Sequence, residues 1–260
     1  SAGAAVLGTS SNYGRSQVNL AAGTMLDMRG QNNTLIGSIV GSGTIKNFSV
    51  SAGATLVTGG DNSNASFDGT FVSDFNSGLL GVKKVGSGTW TLNGNSGASL
   101  LGTLTLAGGS IVLSGGGSLA AGTYNLQRGV LTLDNSSVAS SNRLGGGTLM
   151  GGNAITITPQ GGELVLLGTA SAIVSETVST LTAGDGGGVI TLNMATTAGG
   201  SFVLTTLSAQ SATSSLLVRG DSLGLYPVGA GVAYFNATTA NLIGGGGSWG
   251  TSPYTMSIRP

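Results

Sequence analysis

The stretch from Gly81 to Leu113, GVKKVGSGTWTLNGNSGASLLGTLTLAGGSIVL, limits what this chain can fold into more than any other. Threonine alternates with apolar residues at Thr89, Trp90, Thr91 and Leu92, and again at Thr103, Leu104, Thr105 and Leu106. Successive side chains on a strand point to opposite faces, so this alternation describes short strands with one buried face. The glycine, asparagine and serine between them are turn residues. Turns written Gly-Ser-Gly-Thr, Ala-Gly-Ala-Thr or Ala-Gly-Thr recur at Gly23, Gly43, Gly53, Gly88, Gly102, Gly122 and Gly147, where glycine is expected to supply positive φ.

The same grammar of strand and turn runs along the chain. Strands are expected around Val18 to Leu20, Met25 to Met28, Leu35-Ile36, Ile39-Val40, Ile45, Phe48 to Val50 and Leu56-Val57. Further ones are expected at Tyr124 to Leu126, Val130 to Leu133, Leu216 to Val218, Val232 to Phe235, Leu242-Ile243 and the tail Tyr254 to Ile258. No window places apolar residues at helical spacing, and 49 glycines in 260 residues leave little room for helix. The spacing suits rungs of roughly 20 residues with two or three strands each, so on the order of a dozen rungs would stack to a rod of roughly 60 Å. Residues 1–213 read as a solenoid of degenerate repeats, best formed at 81–113, and residues 214–260 as a continuing β region of atypical repeat.

Composition narrows the function classes. Nine basic and nine acidic residues spread along the chain offer no polybasic face, so nucleic acid is not an expected partner. Without Cys or His the chain has no disulfide framework, no thiolate metal site and no imidazole base, and no cofactor is expected. Four prolines and no Gly-X-Y period exclude collagen. No run of 18 apolar residues marks a membrane helix. Both ends carry the texture of the middle, so the chain is expected to be a segment of a longer protein.

KVGSGTWTLNGNSGASLLGTLTLAGGSIVL resembles the autotransporter-associated β-strand repeat. Lys84, Gly86, Gly88, Thr89, Leu92 and Gly94 match its first half, and Gly102, Thr103, Leu104 and Leu106 its second. Trp90 stands where Leu is usual, and Ser96-Gly97-Ala98 replaces the usual Tyr-Thr-Gly. The pieces SAGATLVTGGDNSNASFDGTF, GSGTIKNFSV and SSLLVRGDSLGL resemble the surroundings of such repeats. The resemblance implies an all-β, right-handed parallel β-helix in an exported bacterial surface protein, with no catalytic residue in the repeat.

No candidate constellation assembles a reaction. Asp61, Asp68 and Asp74 share one polar stretch and would be the carboxylates of a carbohydrate-binding or polysaccharide-active β-helix, with Trp249 stacking on sugar. They read instead as solvated loop carboxylates, and Phe67, Phe71 and Phe75 beside them as core. Trp90 reads as core. Gly-Asp-Gly around Asp185 occurs once, whereas calcium turns repeat in register. The glycine runs at Gly115 to Gly117 and Gly244 to Gly247 lack the Lys-Ser/Thr of a phosphate loop. Lys83-Lys84 is expected to guard a strand edge, and stacked asparagines to form amide ladders. The expected role is a spacer, stalk or self-assembling fibre subunit at the cell surface. Its partners would be further copies or adjoining segments, with a surface glycan as the alternative.

Overall fold

A computed structural model describes residues 3–6, 14–49, 51–73, 78–145, 156–194, 200–204, 207–209, 215–221, 223, 232–237, 240–241 and 254–255. These residues contain strands and turns and no helix. The expected strand at Leu242-Ile243, Val50, and the tail from Met256 on lie outside them.

The chain visits three faces in turn. The first is a nine-stranded sheet of Gln17–Leu20, Ser38–Gly41, Ala65–Phe67, Thr89–Leu92, Ser110–Leu113, Val130–Asp134, Glu163–Leu167, Gly188–Asn193 and Leu216–Gly220. The second, also nine-stranded, is Thr34–Ile36, Ala54–Thr58, Leu80–Lys84, Asn95–Leu106, Ser118–Leu126, Thr156–Pro159, Thr180–Ala183, Leu207–Ala209 and Ala240–Asn241. The third comprises two four-stranded sheets: Ala4–Val6, Met25–Asp27, Thr44–Asn47 and Thr70–Ser73, then Val174–Val178, Gly200–Leu204, Ala233–Ala237 and Tyr254–Thr255. Pairing between rungs is parallel, with Tyr254–Thr255 running antiparallel against Ala233–Ala237.

Each inward position lies over the inward position of the rung below. Phe67, Leu92, Leu113, Leu133, Leu166 and Leu192 form one such column on the first face, and Trp90, Ile111, Leu131, Leu164, Ile190 and Val218 another. The columns are buried and merge into one continuous core. Each fully buried Leu contributes roughly 1.5–3 kcal/mol, which short strands with poor local propensity require. Phe48 falls past the end of Thr44–Asn47, exposed, with the Lys46 ammonium 3.6 Å from its ring centroid.

The glycines act differently from expectation. Of the turn glycines named above, Gly23 has φ of +75°, whereas Gly43, Gly53, Gly88, Gly102 and Gly122 are not in the left-handed region. Gly147 lies outside the described residues. A side chain on Gly94 would enter the carbonyl oxygen of Gly69, and one on Gly69 that of Gly43. At another corner Gly129 stands over Gly109 and Gly109 over Gly88 in the same manner. Close approach of successive rungs is what demands glycine at Gly69, Gly94 and Gly129, and at Gly109 a φ of +66° demands it as well. The Ser96-Gly97-Ala98 segment is no turn either, since one strand runs through it from Asn95 to Leu106.

Each of the two long sheets has nine strands among the described residues and so spans about 40 Å at the ~4.8 Å spacing of hydrogen-bonded strands. The rungs are unequal. Ser110 pairs with Val130, 20 residues on, but Val130 pairs with Glu163, 33 residues on.

Gly94→Ala should therefore destabilise the protein by about 3 kcal/mol, the upper range of overpacking. Gly116→Ala, whose nearest neighbour would be the Asn93 carbonyl at 3.5 Å, should be neutral within about 0.5 kcal/mol. Chemical denaturation of the two variants checks the contrast.

Candidate functional site

The residues singled out for chemistry do not converge. Asp61 and Asp68 flank the strand Ala65–Phe67 and sit on different corners of the coil. Partial burial pushes the Asp61 carboxyl up, but hydrogen bonds from Ser38 and Ser63 outweigh it and hold the group below its ordinary value. Asp68 accepts a 2.7 Å hydrogen bond from the Asn93 amide. Asp74, Phe75, Trp249 and Gly244 to Gly247 lie outside the described residues. Asp185 is exposed at a corner.

Trp90, Phe67 and Phe71 form the expected aromatic core. Their rings meet at 5.6–6.3 Å between centroids, and the Trp90 indole N–H donates to the Ile39 carbonyl at 3.1 Å. Trp90 is 2% exposed and has no face for a sugar.

Lys84 differs from expectation. The strand Leu80–Lys84 is central, paired to Ala54–Thr58 on one side and to Asn95–Leu106 on the other, so it has no edge to guard. Alternation turns Lys83 outward and Lys84 inward, where its ammonium donates to the Val85 carbonyl at 2.6 Å. Burial holds the Lys84 pKa below its ordinary value, against the pull of Asp61. The asparagines also act otherwise than as ladders. Asn62 and Asn64 accept hydrogen bonds from the backbone N–H of Ser87 and Thr89 one rung up, at 2.9 and 2.8 Å. Among the described residues no asparagine amide bonds another.

The densest polar constellation lies where the third face changes from one four-stranded sheet to the other. Here Asn135–Gly145 replaces a strand. The N–H of Leu119 below donates to the Arg143 carbonyl at 2.8 Å, and the N–H of Asn142 donates to the Ser175 carbonyl above at 2.9 Å. Arg143 is fully buried. Its guanidinium donates to the Asn135 side-chain oxygen at 2.9 Å and to the carbonyls of Gly115, Gly117, Asp134 and Val138 at 2.5–3.0 Å. Glu176, also buried, points inward from Val174–Val178 and accepts the backbone N–H groups of Arg143 at 2.6 Å and Leu144 at 3.2 Å. Its carboxylate stands where a ladder carbonyl would otherwise be. The Tyr124 hydroxyl donates to the Leu119 carbonyl and accepts from the N–H of Ala121 at 3.0 Å.

Burial dominates the electrostatics of this seam. It pushes Glu176 up to about 7, although the two N–H bonds and the charge of Arg143 favour ionisation. It pushes the Tyr124 hydroxyl up as well, and lowers Arg143, whose charge Glu176 and Asp134 favour. Sequence reasoning passed over these residues. The available signal was the alternation Val174-x-Glu176-x-Val178, which puts a carboxylate in the inward register of an apolar strand.

A second feature is a trough along one corner of the stack. One depression of about 490 Å³ is lined by Ala107, Gln127, Arg128, Gln160 and Asp185, and a neighbouring one of about 390 Å³ includes Arg128, Ser110 and Glu163. The glycine column Gly109, Gly129 and Gly162 leaves the wall of the second bare. Arg219 bridges Glu163 at 3.0 Å above it.

Among the described residues no group of three acidic, His or Cys side chains is placed to hold a metal ion. None of the helical kind of segment long and apolar enough to cross a membrane is present among them either. No protein-family model, no curated protein and no solved structure matches this chain.

Arg143→Met should cost about 3–5 kcal/mol, because it strips a buried carboxylate of its counter-charge and leaves four carbonyls without their donor. Urea denaturation gives the loss. Pairing it with Glu176→Met should restore part of that stability, since the uncompensated charge is then gone.

Proposed function

We propose that this chain is a right-handed parallel β-helix with a structural role and no reaction of its own: a spacer, stalk or fibre subunit of an exported bacterial surface protein. The observation that carries the reading is the open backbone edge at each end of the stack. Among the described residues, Gln17–Leu20 and Thr34–Ile36 have a paired strand on one side only, as do Leu216–Gly220 and Ala240–Asn241 at the other end. Unpaired ladder groups are satisfied by another strand in the same direction, which a second copy or an adjoining segment would supply. Right-handedness rests on the strong preference of parallel crossovers for that hand. The resemblance of Gly81 to Leu113 to the autotransporter-associated repeat supports export and surface display.

Electron microscopy and light scattering over a concentration series test the assembly. Rods lengthening in steps of about 40 Å are expected, and Leu216→Pro, which removes an N–H facing the open edge at the first residue of the strand, should shorten them. Particles that stay single at the highest concentration leave only the spacer role.

The corner trough favours one alternative, a surface-glycan contact. Gln127, Arg128, Gln160 and Asp185 offer planar amides, a guanidinium and a carboxylate to sugar hydroxyls, at a place other than the acidic stretch from Asp61 to Asp74. A glycan array should then show binding that Arg128→Ala with Gln160→Ala abolishes. An array that the intact protein does not bind removes this alternative.

A further inference from the structure

Asn93-Gly94 is the single Asn-Gly step in the chain, and its two halves are demanded by different contacts. Glycine is needed at 94 because a side chain there would enter the Gly69 carbonyl of the rung below. Asparagine at 93 stitches the same two rungs together. Its carboxamide nitrogen donates to the Asp68 carboxylate at 2.7 Å and to the Ser66 hydroxyl at 3.1 Å, at an exposed corner. Asn-Gly is also the step at which a chain most readily deamidates, because a residue without a side chain lets its nitrogen approach the preceding carboxamide carbon.

The reaction needs only water. The Gly94 nitrogen gives up its proton and bonds the Asn93 side-chain carbon, the carboxamide nitrogen leaves as ammonia with that proton added, and water opens the five-membered imide that results. Opening at one carbonyl gives aspartate, and at the other isoaspartate, whose backbone runs through the side chain. Among the described residues the Gly94 N–H has no acceptor, so the nucleophile is open. The restraint falls on its surroundings. Below, the Asn93 N–H is bonded to the Phe67 carbonyl at 3.0 Å, and above, the Gly94 carbonyl accepts the Ser118 N–H at 3.3 Å, which limits backbone rotation on both sides of the step. The bonds to Asp68 and Ser66 fix the side-chain rotation that ring closure would change, and they engage the hydrogens of the nitrogen that must leave.

We propose that Asn93 is a deamidation site held unreacted by Asp68, and that its conversion to aspartate turns this stitch between rungs into a repulsion. A carboxylate at 93 can no longer donate to Asp68 or Ser66, and two like charges then occupy places now 2.7 Å apart. Isoaspartate goes further, because it adds a backbone atom directly after Thr89–Leu92, a strand in register with Ala65–Phe67 below and Ser110–Leu113 above.

Peptide mapping by mass spectrometry, on the intact chain aged in mildly alkaline buffer of low ionic strength, follows the reaction. Asn93 should convert several-fold more slowly in the folded protein than in the same chain held unfolded in urea. Asp68→Ala, a change at an exposed side chain, should raise the folded-state rate several-fold, and Ser66→Ala, which removes the longer bond, should raise it less. Circular dichroism on the same samples reports that each variant remains folded. An Asn93 that reacts as fast folded as unfolded overturns the proposal, and so do folded variants that convert no faster than the original protein. For the product, Asn93→Asp should unfold at lower urea than Asn93→Ala, by a margin that disappears when Asp68→Ala is added and narrows with salt. Equal midpoints for Asn93→Asp and Asn93→Ala overturn the repulsion.

Discussion

The backbone hydrogen bonds between rungs are the interaction on which the rest of the molecule depends. They run along the stack and repeat at ~4.8 Å, so every residue must tolerate the residue of the next rung at that distance. Leucine over leucine satisfies this on the inside, as from Leu92 to Leu192. Glycine over glycine satisfies it at the corners, where even a methyl group would meet a carbonyl of the rung below. Asn62 and Asn64 satisfy it outside, by receiving N–H groups that a corner leaves without a ladder partner.

The Arg143 seam is the exception that shows the rule. Where one rung is lengthened and its third strand lost, its N–H and carbonyl groups remain buried and must be bonded. Side chains then take over the work of backbone: Glu176 replaces an acceptor, and the guanidinium serves carbonyls of two rungs at once. Such a solution brings two charges out of water, which is sustained here by the hydrogen bonds each of them makes.

Much of the fold was legible because a period of two is visible in short segments. Thr89 to Leu92 and Val130 to Leu133 alternate as written and bury the expected side. What stayed hidden depends on stacking between distant residues. Lys84 looked like a surface cation because nothing local reveals that strands lie on both sides of it. Of the glycines expected to supply positive φ, Gly23 does, whereas Gly43 and Gly88 instead face a carbonyl of the neighbouring rung at a distance that leaves no room for a side chain. The seam was invisible because Arg143 and Glu176 are separated by a whole rung, and only the inward register of Glu176 betrays it. The acidic stretch failed as a site for the opposite reason: neighbours along the chain, Asp61 and Asp68, are carried to different corners by the strand between them.

The unequal rungs separate two quantities that are proportional in an extended chain. A rung of 33 residues advances the axis no further than one of 20, because the surplus is spent sideways in a loop while the ladder keeps its step. Axial reach is thus quantised and indifferent to residue count. Insertions between strands can decorate the outside of the rod without altering the distance between its ends, whereas gaining or losing one complete turn changes that distance by a single strand spacing and leaves both ends with the same three-sided outline.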